Sequence, residues 1–148
     1  FIEVREKRGL AYSVRAWAEK YPDTGYFVVQ AGIEHGKVKK VVETILFEFR
    51  KIKRENVSGA ELKKAKSFIK GTLAISLETS DGVAGDAASS LIAIGKIRKL
   101  EEVLRSIDKV MSGDVKRVAR DIFRTEKLNL AIIGPHLEKE KFASLLRI

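Results

Sequence analysis

The sequence predicts an α+β fold: a mainly antiparallel sheet with helices packed on one face. Three observations carry this. Two aromatic and β-branched segments, 10–18 and 26–33, stand close together near the start with only a turn between them. A long run of helical periodicity, about 37–123, follows without interruption by a strand. A single apolar stretch, LNLAIIG at 128–134, precedes a last helical pattern. Strands and helices are therefore segregated rather than alternating, which argues against βαβ units. With 148 residues, 45% of them hydrophobic, residues 1–148 are expected to form a single domain.

The opening FIEVREKRG reads as the last turns of a helix. Arg5, Lys7 and Arg8 place positive charge near its C-terminal end, where the helix dipole favours it. Gly9 fits the position just past that end, where a left-handed conformation is cheap. Because the helix is entered in mid-course and the first residue is Phe1, sequence upstream of this point is expected.

From Leu10 the period changes to two. Tyr12, Val14, Ala16 and Ala18 share one side and Ala11, Ser13, Arg15 and Trp17 the other, which predicts a strand. Pro22, Asp23 and Gly25 supply a turn, and YFVVQAGI, 26–33, reads as the second strand of an antiparallel hairpin. A helix over about 37–54 carries Val38, Val41, Val42, Ile45, Leu46, Phe49 and Ile52 at helical spacing. Ser58 and Glu61 form a capping-box pattern for a second helix running to about Leu77, with Leu62, Ala65, Ile69 and Leu73 as its stripe.

TSDGVAGDAASS has the composition of a linker, but Val83, Ala87, Leu91 and Ile94 keep helical spacing. A third helix is expected there, capped by Ser80 or Asp81, with Ala84, Gly85 and Ala88 small enough to admit a neighbour closely. Residues 99–111 predict a short amphipathic helix. Ser112 and Asp114 open another, with Val115, Val118, Ala119, Ile122 and Phe123. LNLAIIG predicts a buried strand ended by Gly134 and Pro135, and Leu137, Phe142, Leu145 and Leu146 mark a terminal helix.

Composition excludes several chemistries. The absence of Cys removes disulfides, thiol nucleophiles and Cys-based zinc sites. A catalytic zinc takes three protein ligands, mostly His, and the two His, His35 and His136, lie far apart with no H-x-x-E-H spacing. His35 and His136 are read as turn residues. Ser76, Ser89 and Ser90 lack the strand–turn–helix context of a nucleophile elbow. No apolar run approaches a membrane span. The net charge of +9 admits a basic nucleic-acid-binding module, but HGKVKK, RKIKR and KKAK are spread along helix faces without interleaved aromatics. Nucleic acid is thus not the expected partner. With one Gln, two Asn and one Met, the Lys- and Glu-rich composition is of the heat-adapted kind.

Arg5 and Tyr12 remain. One ends a helix and the other lies near the start of a strand, with Gly9 turning the chain between them. A guanidinium is a donor fork for a carbonyl or carboxylate, and a neutral phenol can donate to an oxygen developing negative charge. A surface Arg and a Tyr at the edge of the core fit the same spacing.

VREKRGLAYSV resembles the signature of the C-terminal domain in the pitrilysin and mitochondrial-processing-peptidase family, the inverzincins, whose zinc motif is H-x-x-E-H. DTGYFVVQAGI, VSGAELKKAKSFIKGTLAISLET, LEEVLRSIDKVMSGDVKRVARDIF and LNLAIIGP extend the likeness over nearly the whole chain. The resemblance implies a metal-free half of a two-domain peptidase. Zinc would be held by an N-terminal domain, in the same chain or in a partner subunit, and none by this chain. Arg5 would hold a substrate carbonyl and Tyr12 would donate to the oxygen of the tetrahedral intermediate, while the two halves enclose a peptide. It also leaves open a dimeric, two-subunit enzyme, or a non-catalytic scaffold subunit of the same fold.

Overall fold

The structure is a computed structural model that describes residues 1–135 and 139–148. The expectations for His136 and Leu137 lie outside the described residues. The fold is α+β, with a two-stranded antiparallel sheet and helices. Contacts group the chain into two packing units. The first comprises 1–18, 27–56 and 116–148, and the second 19–26 and 57–115.

Strand β1, Ser13–Lys20, pairs with β2, Gly25–Gly32. Both guanidinium contacts of Arg15 to the Gln30 side-chain oxygen, at 3.1 and 2.9 Å, cross the hairpin in this register. β1 starts three residues later than its alternation predicts. Tyr12 precedes it, although its N–H still donates to the Gly32 carbonyl at 2.8 Å. Of the side shared by Tyr12, Val14, Ala16 and Ala18, Val14 is buried and the other three are exposed.

Helix α1, Val38–Arg54, organises the first unit. Its 3.6-residue period places Val41 against Val4, Leu10 and Val14, with Val29, Ala31 and Ile45 at the margin. The adjoining face, Val38, Val42 and Leu46, packs with Phe49, Leu128, Ile132 and the C-terminal Leu145, Leu146 and Ile148. Each such aliphatic, fully buried, stabilises by roughly 1.5–3 kcal/mol, so a charge at Val41, 2% exposed, would unseat the helix from the hairpin. Arg120 donates to the Lys53 carbonyl at 3.0 Å in the last turn of α1, where the dipole favours a cation. Thr125 ties the chain end, its hydroxyl donating to the Ile148 carbonyl and accepting from the Ile148 N–H, both at 3.0 Å.

LNLAIIG is not a strand. Leu128 and Ile132 pack on α1, but Leu130 and Ile133 face solvent, and the described sheet contains only β1 and β2. Apolar β-branched composition favours a strand only when a neighbour completes the hydrogen-bond ladder. Here side-chain packing holds the segment without one. The terminal helix is the short α6, Lys139–Ala143.

In the second unit, α2 spans Gly59–Ser76, α3 Ser80–Ile94 and α4 Leu100–Lys109. The Ser58 hydroxyl accepts from the Glu61 N–H at 3.1 Å, the forward half of the predicted capping box. The third helix exists as expected, but its cap is Thr79, whose hydroxyl accepts from the Gly82 N–H at 3.1 Å. The close approach expected at Gly85 occurs instead at Gly82, where an added Cβ would lie 1.8 Å from the Ser76 carbonyl oxygen. Gly85 has open space around it. The stripe of α2 is only partly covered: Leu62 and Leu73 are half-buried, while Ala65 and Ile69 are exposed. Lys66 donates to the Asp108 carbonyl at 2.8 Å and Lys70 pairs with the Asp108 carboxylate, tying α2 to α4. Helix α5, Ser112–Ile122, opens where the Asp114 carboxylate accepts from the Met111 N–H at 2.9 Å.

Candidate functional site

The residues singled out in the sequence lie on either side of one turn in the first unit. Ile2–Glu6 forms a π-helical turn, closed by the Lys7 N–H donating to the Ile2 carbonyl at 2.9 Å. Such wide turns are short-lived along a chain and need anchoring. Val4, buried beneath α1, anchors this one. Gly9, at φ +56°, reverses the chain, its N–H donating to the Arg5 carbonyl at 3.0 Å, and the Leu10 N–H reaches the Val4 carbonyl at 2.9 Å. The left-handed residue just past the helical turn is thus where the sequence put it.

Arg5 projects outward from the π turn. Its guanidinium stacks over the Phe1 ring, 5.1 Å from the centroid, a weak attraction at an exposed site. Glu3 is taken by Lys7, at 2.6 Å, with Arg8 at 4.0 Å. The Lys7 hydrogen bond holds the Glu3 carboxyl below its ordinary range and raises the Lys7 ammonium in return.

Tyr12 is 67% exposed, and its hydroxyl donates to Glu34 Oε1 at 3.2 Å. Glu34 lies two residues past the end of β2, and the pairing of the Tyr12 N–H with the Gly32 carbonyl brings it beside Tyr12. Lys37, in the 3-10 turn His35–Lys37, sits 3.0 Å from the same carboxylate oxygen and 3.5 Å from the Gly9 carbonyl. The Lys37 hydrogen bond and charge, then the Tyr12 hydrogen bond, lower the Glu34 carboxyl. A network therefore runs from the Gly9 turn through Lys37 and Glu34 to the Tyr12 phenol.

Arg5 and Tyr12 both lie exposed beside the Gly9 turn, but among the described residues no hydrogen bond joins them. Glu34 and Lys37 were not singled out from sequence. The signal that could have found them is the hairpin register, which sets residue 34 near residue 12 once the two strands are paired.

The other candidates have structural surroundings. His35 lies in the turn before α1, as expected. The Ser76 hydroxyl donates to the Leu73 carbonyl at 2.8 Å and that of Ser90 to the Lys96 carbonyl at 2.9 Å, each a local backbone contact. A shallow cavity of about 360 Å³ beside Lys66, Lys70 and Asp108 is bridged by the contacts that join α2 to α4. Among the described residues, no group of three or more His, Cys, Asp or Glu is arranged to hold a metal ion, and no helix is long and apolar enough to cross a membrane.

Comparison with known proteins bears on this geometry. Residues 1–69, which contain the whole Arg5–Tyr12–Glu34–Lys37 region, match the family model described as the peptidase M16 inactive domain. The uncharacterized zinc protease YmxG of Bacillus subtilis is 32% identical over 91% of this chain and 33% of its own length. An uncharacterized zinc protease of Mycobacterium tuberculosis is 32% identical over 99% of this chain and 33% of its own. The mitochondrial-processing peptidase subunit beta of Saccharomyces cerevisiae is 27% identical over 90% and 29%. The chain thus spans about a third of the length of these relatives. Among solved structures, a chain of complex III2 from Candida albicans with Inz-5 bound shares the fold, with a TM-score of 0.76 and 22% identity over 98% of this chain and 35% of that one. The matched residues, the likeness to these relatives and the shared fold agree: the chain is similar to the inactive domain of the peptidase M16 family.

Proposed function

We propose that this chain forms the substrate-binding half of a zinc-dependent peptidase, contributing Arg5 and Tyr12 to peptide-bond hydrolysis at a zinc site in another domain or subunit. The observation that carries the reading is the placement of the pair. Two exposed side chains with hydrogen-bond donors flank one left-handed glycine, on segments pinned by buried Val4, Leu10 and Val14. Relatives named as zinc proteases and as a processing-peptidase subunit supply the substrate class, a peptide.

The chemistry follows from the donors. The Arg5 guanidinium offers a planar fork to a substrate carbonyl and so orients the peptide. The Tyr12 phenol donates one hydrogen bond to the oxygen that gains negative charge when the carbonyl is attacked. A donor aimed at developing charge contributes more in the transition state than in the ground state. The described residues do not fit a zinc ion, having no ligand group for one, so this half binds and stabilises but does not activate water.

The test uses the complete protein with its zinc-bearing half. Tyr12→Phe should lower kcat on the order of 10²-fold, as for a lost oxyanion donor, and Arg5→Ala should act mainly on KM. Peptide turnover unchanged in both variants would remove the pair from the site and leave a scaffold role for this half.

A further inference from the structure

A phenol carries one proton, and in this structure the proton of Tyr12 is directed at Glu34. Exposed as it is, the ring has few packing contacts to orient it, and the described contact that fixes its hydroxyl comes from this carboxylate. Glu34 is itself fixed at two removes from the turn: Lys37 bonds its carboxylate at 3.0 Å and the Gly9 carbonyl at 3.5 Å. We propose that Glu34 is a positioning residue, which holds the Tyr12 phenol beside the Gly9 turn and yields its hydrogen bond to the substrate oxygen during hydrolysis, with Lys37 locking Glu34 in place. This inference rests on the assignment of Tyr12 to the site.

The length of the contact supports exchange. At 3.2 Å it is long for an O–H donor facing a carboxylate, where 2.5–2.7 Å is typical of strong bonds. A weak, exposed bond orients the hydroxyl at little cost and yields to a stronger acceptor. The oxyanion of a tetrahedral intermediate is such an acceptor, and the hydrogen bond passes to it without any net proton transfer to Glu34. The ion pair with Lys37 keeps Glu34 ionised and therefore an acceptor only, so it cannot compete as a donor for the same oxygen.

The test is a double-mutant cycle in the complete two-half enzyme, with kcat and KM measured separately. Glu34→Ala should lower kcat about 3- to 10-fold with KM little changed. Glu34→Gln, whose amide oxygen still accepts from the phenol, should recover most of that loss. In the Tyr12→Phe background, Glu34→Ala should have no further effect, because there is no hydroxyl left to orient. If Tyr12→Phe is impaired but Glu34→Ala lowers kcat by the same factor in both backgrounds, or not at all, Glu34 does not act through Tyr12 and the inference fails while the assignment of Tyr12 stands. If Tyr12→Phe turns over normally, both fail together. Far-ultraviolet circular dichroism and thermal midpoints of each variant identify a loss caused by unfolding; a Glu34→Ala protein that has lost its fold is replaced in the cycle by Lys37→Met, which frees Glu34 without removing it and should give a smaller loss of kcat, abolished by Tyr12→Phe. Equal losses from Lys37→Met in both backgrounds would overturn the inference.

Discussion

The rings of Phe49 and Phe123 lie parallel, 4.1 Å apart with 7° between their planes, and Phe27 meets both edge-on at 5.9 and 5.3 Å. These three residues come from α1, from the residue just after α5 and from β2, so one aromatic cluster fastens three elements of the first unit. Phe49→Ala should destabilise by about 2 kcal/mol, below the roughly 3–5 kcal/mol of a fully enclosed Phe because both stacked rings are only half-buried. Phe123→Leu keeps most of the apolar area and loses the stack, so about 1 kcal/mol is expected. Denaturant midpoints at constant slope measure both; equal losses would show that ring geometry rather than area sets the stability.

Glu34 should titrate below the ordinary Glu value of 4.5, chiefly because of Lys37. A depressed folded-state value means that its contribution to stability is present above the ordinary value and is lost as pH falls through the lowered one. Since the pair is exposed, that contribution is small and should weaken further with added salt. Carboxyl-carbon NMR gives the midpoint. Lys37→Met should move it up, and Tyr12→Phe should move it up by less.

Two glycines separate conformational from steric demands. Gly9→Ala meets nothing within 4 Å but must keep φ at +56°, which costs roughly 1–2 kcal/mol. Gly82→Ala places a Cβ 1.8 Å from the Ser76 carbonyl oxygen and forces α2 and α3 apart at their junction, for about 3 kcal/mol or more. Thermal unfolding of the two variants should rank Gly82→Ala as the worse. The reverse order would mean that the α2–α3 junction adjusts freely.

The purified chain by itself should cleave no peptide, with or without added zinc, because none of its described residues forms a ligand group that could activate water. Mixing it with a zinc-bearing half from the same protein is the condition under which activity should emerge. Hydrolysis by the chain alone in the presence of a chelator would overturn the proposed division of labour.

The features legible in the sequence were those set by local rules. Gly9 is left-handed because a helical turn ends there, α1 buries the face its period prescribes, and the Ser58 hydroxyl caps α2. α3 survives a linker-like composition because Val83, Ala87, Leu91 and Ile94 keep step. What failed depends on partners distant in sequence. LNLAIIG has strand composition but no ladder neighbour among the described strands. Gly85 was read as the close-contact glycine, yet which glycine meets a neighbouring backbone is decided by the sharp return from Ser76 to Thr79. Arg5 and Tyr12 were found through a motif, whereas Glu34, on the far side of a hairpin, needed the register.

The segment after α5 has a consequence for handling the protein. Leu130 and Ile133 stand in solvent, Ile133 fully so, on backbone that belongs to no described helix or strand. A protease cleft accepts chain that it can draw out as a single extended strand, and backbone committed to helices resists this. Among the described leucines, limited digestion with a Leu-preferring protease should therefore nick first at Leu130, separating the C-terminal Leu145, Leu146 and Ile148 from the covalent reach of α1 while their packing still holds them. A domain whose relatives are named proteases would thus carry, among its described residues, a readily cleaved bond on the strap that packs against α1.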